Sequence, residues 1–77
     1  MDEHQLREIC WRVVEGPSGR LVVCAIYEHE DVGVELRVGY ATDRTVRSER
    51  IADPGSARVR AEEWLDAFRA AGSIGQA

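Results

Sequence analysis

Lysine and asparagine are missing from this sequence altogether, and each of its ten basic residues is an arginine. The codons for both missing residues are AT-rich. Their absence points to a GC-rich genome, that of a bacterium or of a phage infecting one, and says nothing direct about chemistry. No apolar run is long enough to cross a bilayer. The N-terminal MDEHQLRE is polar and mostly acidic, unlike a signal peptide, so the expected location is the cytoplasm and no membrane partner is expected.

Cysteine is scarce as well. Two residues, Cys10 and Cys24, cannot build a disulfide framework, and in a cytosolic chain they are expected as free thiols. With His4 and His29 they are the only soft metal ligands. No C-x-x-C or H-x-x-x-H pair occurs, and Cys24 with His29 five residues on falls short of a metal site. Excess positive charge is also lacking. The net charge of −4 gives no bulk attraction to nucleic acid or to an anionic membrane.

What is present is one small globular domain, residues 1–77, with 1–5 and 73–77 read as frayed tails. Hydrophobic residues make up 44% and charged residues 31%, outside the range of disordered chains. A chain this short hides only about 60% of its extended-chain surface, so its stability is marginal unless something is added.

Ala57, Ala61, Trp64, Leu65, Phe68 and Ala71 recur at helical spacing and predict one amphipathic helix. Asp53 is its N-cap, Pro54 its first residue and Gly72 its stop. Arg58, Glu62, Glu63, Asp66 and Arg69 lie on the outward face, with Arg58 and Glu62 spaced to pair. Three strands precede the helix, at 8–14, 20–28 and 32–40. They are separated by the turn Gly16-Pro17-Ser18-Gly19 and by a second turn at 29–31. After 41–44, residues 46–51 read as a short fourth strand or an extended crossover. The expected fold is α+β: a small antiparallel three- or four-stranded β-meander packed on one C-terminal α-helix, ββββα or βββα.

Residues 21–27, LVVCAIY, are apolar on both faces of a strand, and one helix can cover only one of them. A three-residue turn with Gly19 left-handed sets Arg12 opposite Cys24. One face then collects Ile9, Trp11, Val13, Leu21, Val23, Ala25 and Tyr27, and a pairing of Tyr27 near Val34 adds Val34, Leu36, Val38 and Tyr40 from the third strand. That face matches the helix stripe, and the predicted core is Trp11, Val23, Tyr27, Leu36, Val38, Trp64, Leu65 and Phe68. The other face presents Val14, Val22, Cys24 and Ile26, with Cys10 beside them and Arg12, Glu35 and Arg37 around them. Burying Val14, Val22 or Ile26 is worth roughly 1.5–3 kcal/mol each, so this outer face calls for a cover: a second copy, another protein, or the chain's own N-terminal segment.

Chemistry is thinly supported. Cys24 between Arg12 and Arg37 would have thiolate character and form a small anion site. Ser18 and Ser48 lie in polar stretches, His29 is at the far end of the second strand from Ser18, and no triad is read. Glu62 and Glu63 diverge on the helix. GPSG fits a hairpin turn better than a phosphate cradle. No catalytic residue, metal or cofactor is assigned, and the chain is not expected to be an enzyme.

The order of elements resembles the shape that certain plant DNA-binding domains and phage integrase arm-binding domains use to read DNA with a sheet face. That likeness is of topology alone. The basic residues Arg44, Arg47, Arg50, Arg58 and Arg60 are the candidate contacts for nucleic acid or an anion. A phage- or defence-related small inhibitor is compatible with the composition. The leading expectation is a non-enzymatic interaction module that self-associates through the outer sheet face. Its central contacts would be Val14, Val22, Cys24 and Ile26, and its polar rim Arg12, Glu35 and Arg37.

Overall fold

In the computed structural model, residues 5–16, 18–29, 33–40 and 45–71 are described. Their order is β1 (Gln5–Val14), β2 (Leu21–Glu28), β3 (Val34–Tyr40), β4 (Thr45–Ile51) and α1 (Pro54–Ala70). The four strands form one antiparallel sheet in sequential order, with the helix packed across one face. This is the ββββα arrangement, and residues 45–51 are a full fourth strand rather than a crossover.

The helix begins as its sequence dictates. Asp53 has extended backbone, and its Oδ1 accepts from the Ser56 backbone N–H at 2.7 Å. Pro54 fills the first turn, where its missing N–H costs nothing. Ala57, Ala61, Trp64 and Leu65 are buried and Phe68 partly so, as the periodicity predicts. The last turn closes with the Ala71 N–H donating to the Ala67 carbonyl at 3.0 Å. The predicted stop at Gly72 lies outside the described residues. So do His4, Pro17, Glu30 and Asp31 of the second turn, Val32, residues 41–44, and the tails apart from Gln5, which belongs to β1.

The first hairpin differs from expectation by one residue. Its loop spans four residues, 16–19. The Glu15 N–H donates to the Arg20 carbonyl and the Gly19 N–H to the Glu15 carbonyl, both at 2.8 Å. Gly19 is left-handed as expected, with φ of 74°. Glu15 and Arg20 therefore close the ladder, and Trp11, not Arg12, faces Cys24. The second hairpin also differs by one residue: Glu28, not Tyr27, pairs with Val34, which places Val22, Cys24 and Ile26 on the side of Leu36 and Val38.

β2 is thus turned over relative to the sequence-based expectation. Val22, Cys24 and Ile26 are 2%, 0% and 0% exposed and form the centre of the core. Val23 and Tyr27 are half-buried on the helix-free face instead. Trp11 keeps its predicted place. Its Nε1–H donates to the Ala61 carbonyl at 2.8 Å, and its ring meets Phe68 edge to face at 5.8 Å.

Two irregularities in β1 complete the difference. The register shifts between Leu6 and Glu8 and again between Ile9 and Trp11, so Arg7 and Cys10 are extra residues. An extra residue reverses parity. Ile9 lies on the outer face although Trp11, two positions on, lies on the inner one. Cys10 packs against the core.

Candidate interaction face

The helix-free face has two unlike halves. β1 and β2 supply Leu6, Ile9, Val14, Leu21, Val23 and Tyr27, with Ala25 between them. Leu6, Ile9, Val14 and Leu21 are 54%, 44%, 53% and 39% exposed, and account for four of the six exposed large hydrophobic residues among those described. Val14 pairs directly with Leu21 at one end, Ile9 with Ala25 in the middle, and Leu6 with Tyr27 at the other end. Arg12, opposite Val23, is the charged residue within this half.

β3 and β4 supply the polar half. Arg37 grips Glu35 with both Nη2 and Nε at 3.1 Å, and its guanidinium lies 4.5 Å over the Tyr27 ring. His29 Nε2 is 2.7 Å from Glu35 Oε1. Burial works to raise the Glu35 carboxyl. Hydrogen bonds from Arg37, His29 and Ser48, with the Arg37 charge, outweigh it and hold the group below the ordinary carboxylate range. Arg50 lies opposite Glu35 on β4. Gly39, opposite Val23, leaves a gap in the side-chain layer.

Of the residues predicted for this surface, Arg12, Val14, Glu35 and Arg37 are on it. Val22, Cys24 and Ile26 are not, because the registers of both hairpins carry them beneath the helix. Leu6, Ile9, Leu21 and Tyr27 take their place. The alternation of β2 held no signal for this exchange, since both its faces are apolar.

Other expectations fall with the register. Cys24 points away from Arg12 and Arg37, so it forms no anion site with them; burial pushes its thiol up to about 12. Cys24 and His29 lie on opposite faces, and no group of three metal-ligating side chains occurs among the described residues. Glu35 gathers His29 and Ser48, a cluster the sequence did not foretell. The carboxylate stands between the imidazole and the hydroxyl, whereas activating a serine requires the imidazole in the middle. Ser18 sits in the first loop, bonded to Glu15.

The candidate arginine cluster is divided among different surfaces. Arg58 makes a two-pronged bond to Glu8 of β1 at 2.9 and 2.8 Å, in place of the expected pairing with Glu62. Arg60 binds Glu49 of β4 at 2.9 Å and Glu63 at 2.7 Å. Arg47 stacks 4.6 Å from the Trp64 ring centre, and Arg50 is on the far side of the sheet. Arg44 lies outside the described residues. A shallow depression beside the start of the helix has Arg7 and Glu28 in its wall, but those two charges bond to each other.

The class these observations define is a two-layer α+β domain, one helix on a four-stranded meander, with a half-apolar sheet face that no other described element covers; the start of the N-terminal segment expected as one possible cover, residues 1–4, lies outside the described residues. Comparison with protein families, with curated proteins and with solved structures finds no match to this chain. Among the described residues, no helix is long and apolar enough to cross a membrane.

Proposed function

We propose that this protein is a non-enzymatic interaction module whose partner is a second copy of itself, docked outer face to outer face. The observation that supports it is the grouping of Leu6, Ile9, Val14 and Leu21 on the side of the sheet that the helix leaves bare. Four strands about 4.8 Å apart and roughly 25–30 Å long give a face of about 500 Å² in projection. This is of the same order as the roughly 600–800 Å² per partner that smaller specific interfaces bury. A two-fold axis through the β1–β2 half sets apolar strip on apolar strip. Glu35, Arg37 and Arg50 are then left at the rim, where charges stay solvated.

The affinity is modest. Each of the four aliphatic chains is about half covered already, so completing its burial contributes about 1 kcal/mol. The eight such chains of a dimer together contribute about 8 kcal/mol, of the same order as the cost of lost rotational and translational freedom, so the net affinity rests on Val23, Tyr27 and the rim. The dimer is expected in the micromolar range or weaker, so its detection needs concentrations up to about 1 mM.

The test is molar mass by light scattering across such a series, for wild type and Leu21→Arg under reducing conditions. The expected result is a wild-type mass climbing from monomer to dimer, little changed by salt, and a Leu21→Arg variant that melts normally but stays monomeric. A wild type that remains monomeric throughout, or a Leu21→Arg variant that dimerises unchanged, would overturn the proposal.

A further inference from the structure

The chain's two cysteines are fourteen positions apart in sequence and meet beneath the helix. The irregularity that makes Cys10 an extra residue between Ile9 and Trp11 turns it to the inner side, where Trp11 already faces Cys24. Cys10 packs against the buried cluster that contains Cys24, and burial pushes both thiols above the ordinary range. Access is unequal: Cys10 is half-buried and Cys24 has no exposed surface. Paired residues of adjacent antiparallel strands have Cα atoms about 4.5–5.5 Å apart, and Cys10 stands next to Trp11, the residue paired with Cys24, close to the span of about 4.4–6.8 Å that a disulfide bridges.

We propose that Cys10 and Cys24 are a dithiol site that a hydroperoxide oxidises to one intramolecular disulfide, with Cys10 reacting first and Cys24 resolving it. The Cys10 thiolate attacks one peroxide oxygen; an S–O bond forms, the O–O bond breaks and hydroxide leaves. The Cys24 sulfur then attacks the Cys10 sulfenic sulfur. An S–S bond forms, the S–O bond breaks, and the Cys24 proton departs with the hydroxyl as water. The hydroxide takes up the proton first lost by Cys10. In sum, two thiols and one hydrogen peroxide give a disulfide and two waters; the thiols are oxidised and the peroxide is reduced.

The environment makes this a slow reaction rather than a rapid sensor. Burial pushes the Cys10 thiol up, Glu8 and Glu62 reinforce the shift, and Arg58 opposes it. The product staples β1 to β2 across a loop of about 15 residues, which is a large constraint on the unfolded chain of a small domain. It lies on the opposite side of the sheet from the proposed dimer face, so either proposal can fail without the other.

The experiment treats the folded protein with hydrogen peroxide at mildly alkaline pH, then denatures it, alkylates it and measures intact mass. The expected product is a monomeric chain lighter by two hydrogens that takes up no alkylating reagent. Its melting temperature should be higher than that of the reduced protein by roughly 10 °C or more. In Cys24→Ala, Cys10 should instead gain oxygen; in Cys10→Ala, Cys24 should stay reduced. The wild-type result stands alone if either variant fails to fold. Wild-type chains that gain oxygen at Cys10, that cross-link between molecules, or that remain fully alkylatable would each overturn the proposal.

Discussion

Truncating Ile26 to alanine tests which face of β2 the helix covers. Ile26 has no exposed surface and sits among the buried residues of β2 and β3, paired with Leu36. Removing three carbons forfeits about 2.4 kcal/mol of transfer free energy. The cavity left behind, if the helix does not collapse into it, adds about 1–2 kcal/mol. The expected loss of about 3–4 kcal/mol is a large part of the roughly 4–12 kcal/mol available to a domain of this size. It corresponds to a fall in melting temperature of about 12–30 °C. Urea titration followed by fluorescence of the buried Trp11 and Trp64 measures it directly. Leu21→Ala is the internal control. On the opposite face and already 39% exposed, Leu21 should lose less than about 1 kcal/mol in the monomer. If the two losses were equal, or reversed in order, β2 would present the other face to the helix and the register described here would be wrong.

Three further outcomes follow from the geometry. Gly33 has φ of 93°, and a Cβ there would lie 2.8 Å from the Ile51 carbonyl oxygen; Gly33→Ala should cost about 1–3 kcal/mol in urea titration. Asp53→Ala removes the acceptor for the Ser56 N–H and should cost about 1 kcal/mol, whereas Asp53→Ser should restore most of it. Glu35 is held below its unfolded carboxylate value, so its ionised form stabilises the fold above the ordinary carboxylate pKa, and that stability is lost as pH falls through the depressed folded value. The stability difference between wild type and Glu35→Gln should therefore be flat from neutral pH to about pH 5 and shrink below it; a difference that grows on acidification would contradict the sign.

The helix was legible in the sequence because its signals are local and agree. Asp53 and Pro54 fix the start, and one stripe fixes the buried face. The strands were legible as elements, and the fourth was within reach. Their facing was not. β2 is apolar on both sides, so its alternation is silent, and the choice passed to the two hairpins. Four residues rather than three lie between Glu15 and Arg20, and Glu28 rather than Tyr27 pairs with Val34; the two steps together exchange Val22, Cys24 and Ile26 for Val23, Ala25 and Tyr27. In β1 the irregularities at Arg7 and Cys10 break parity within one strand, so Ile9 and Trp11 part company. No periodicity argument registers an inserted residue. The arginines misled for a different reason: near neighbours in sequence, they are claimed by carboxylates on opposite edges of the sheet, Glu8 for Arg58 and Glu49 for Arg60.

The open apolar half-face is the centre of the account, and intermolecular contacts measured in a mixed isotope-labelled sample test it most directly. Labelled and unlabelled chains are combined at high concentration, and only proximities between different molecules are recorded. The expected contacts join methyl groups of Leu6, Ile9, Val14, Leu21 and Val23 to the same set in the partner, with none from Val22 or Ile26. Contacts arising instead from Val46 or Val59, the large exposed aliphatic residues outside the β1–β2 half-face among those described, or no contacts at all, would contradict it.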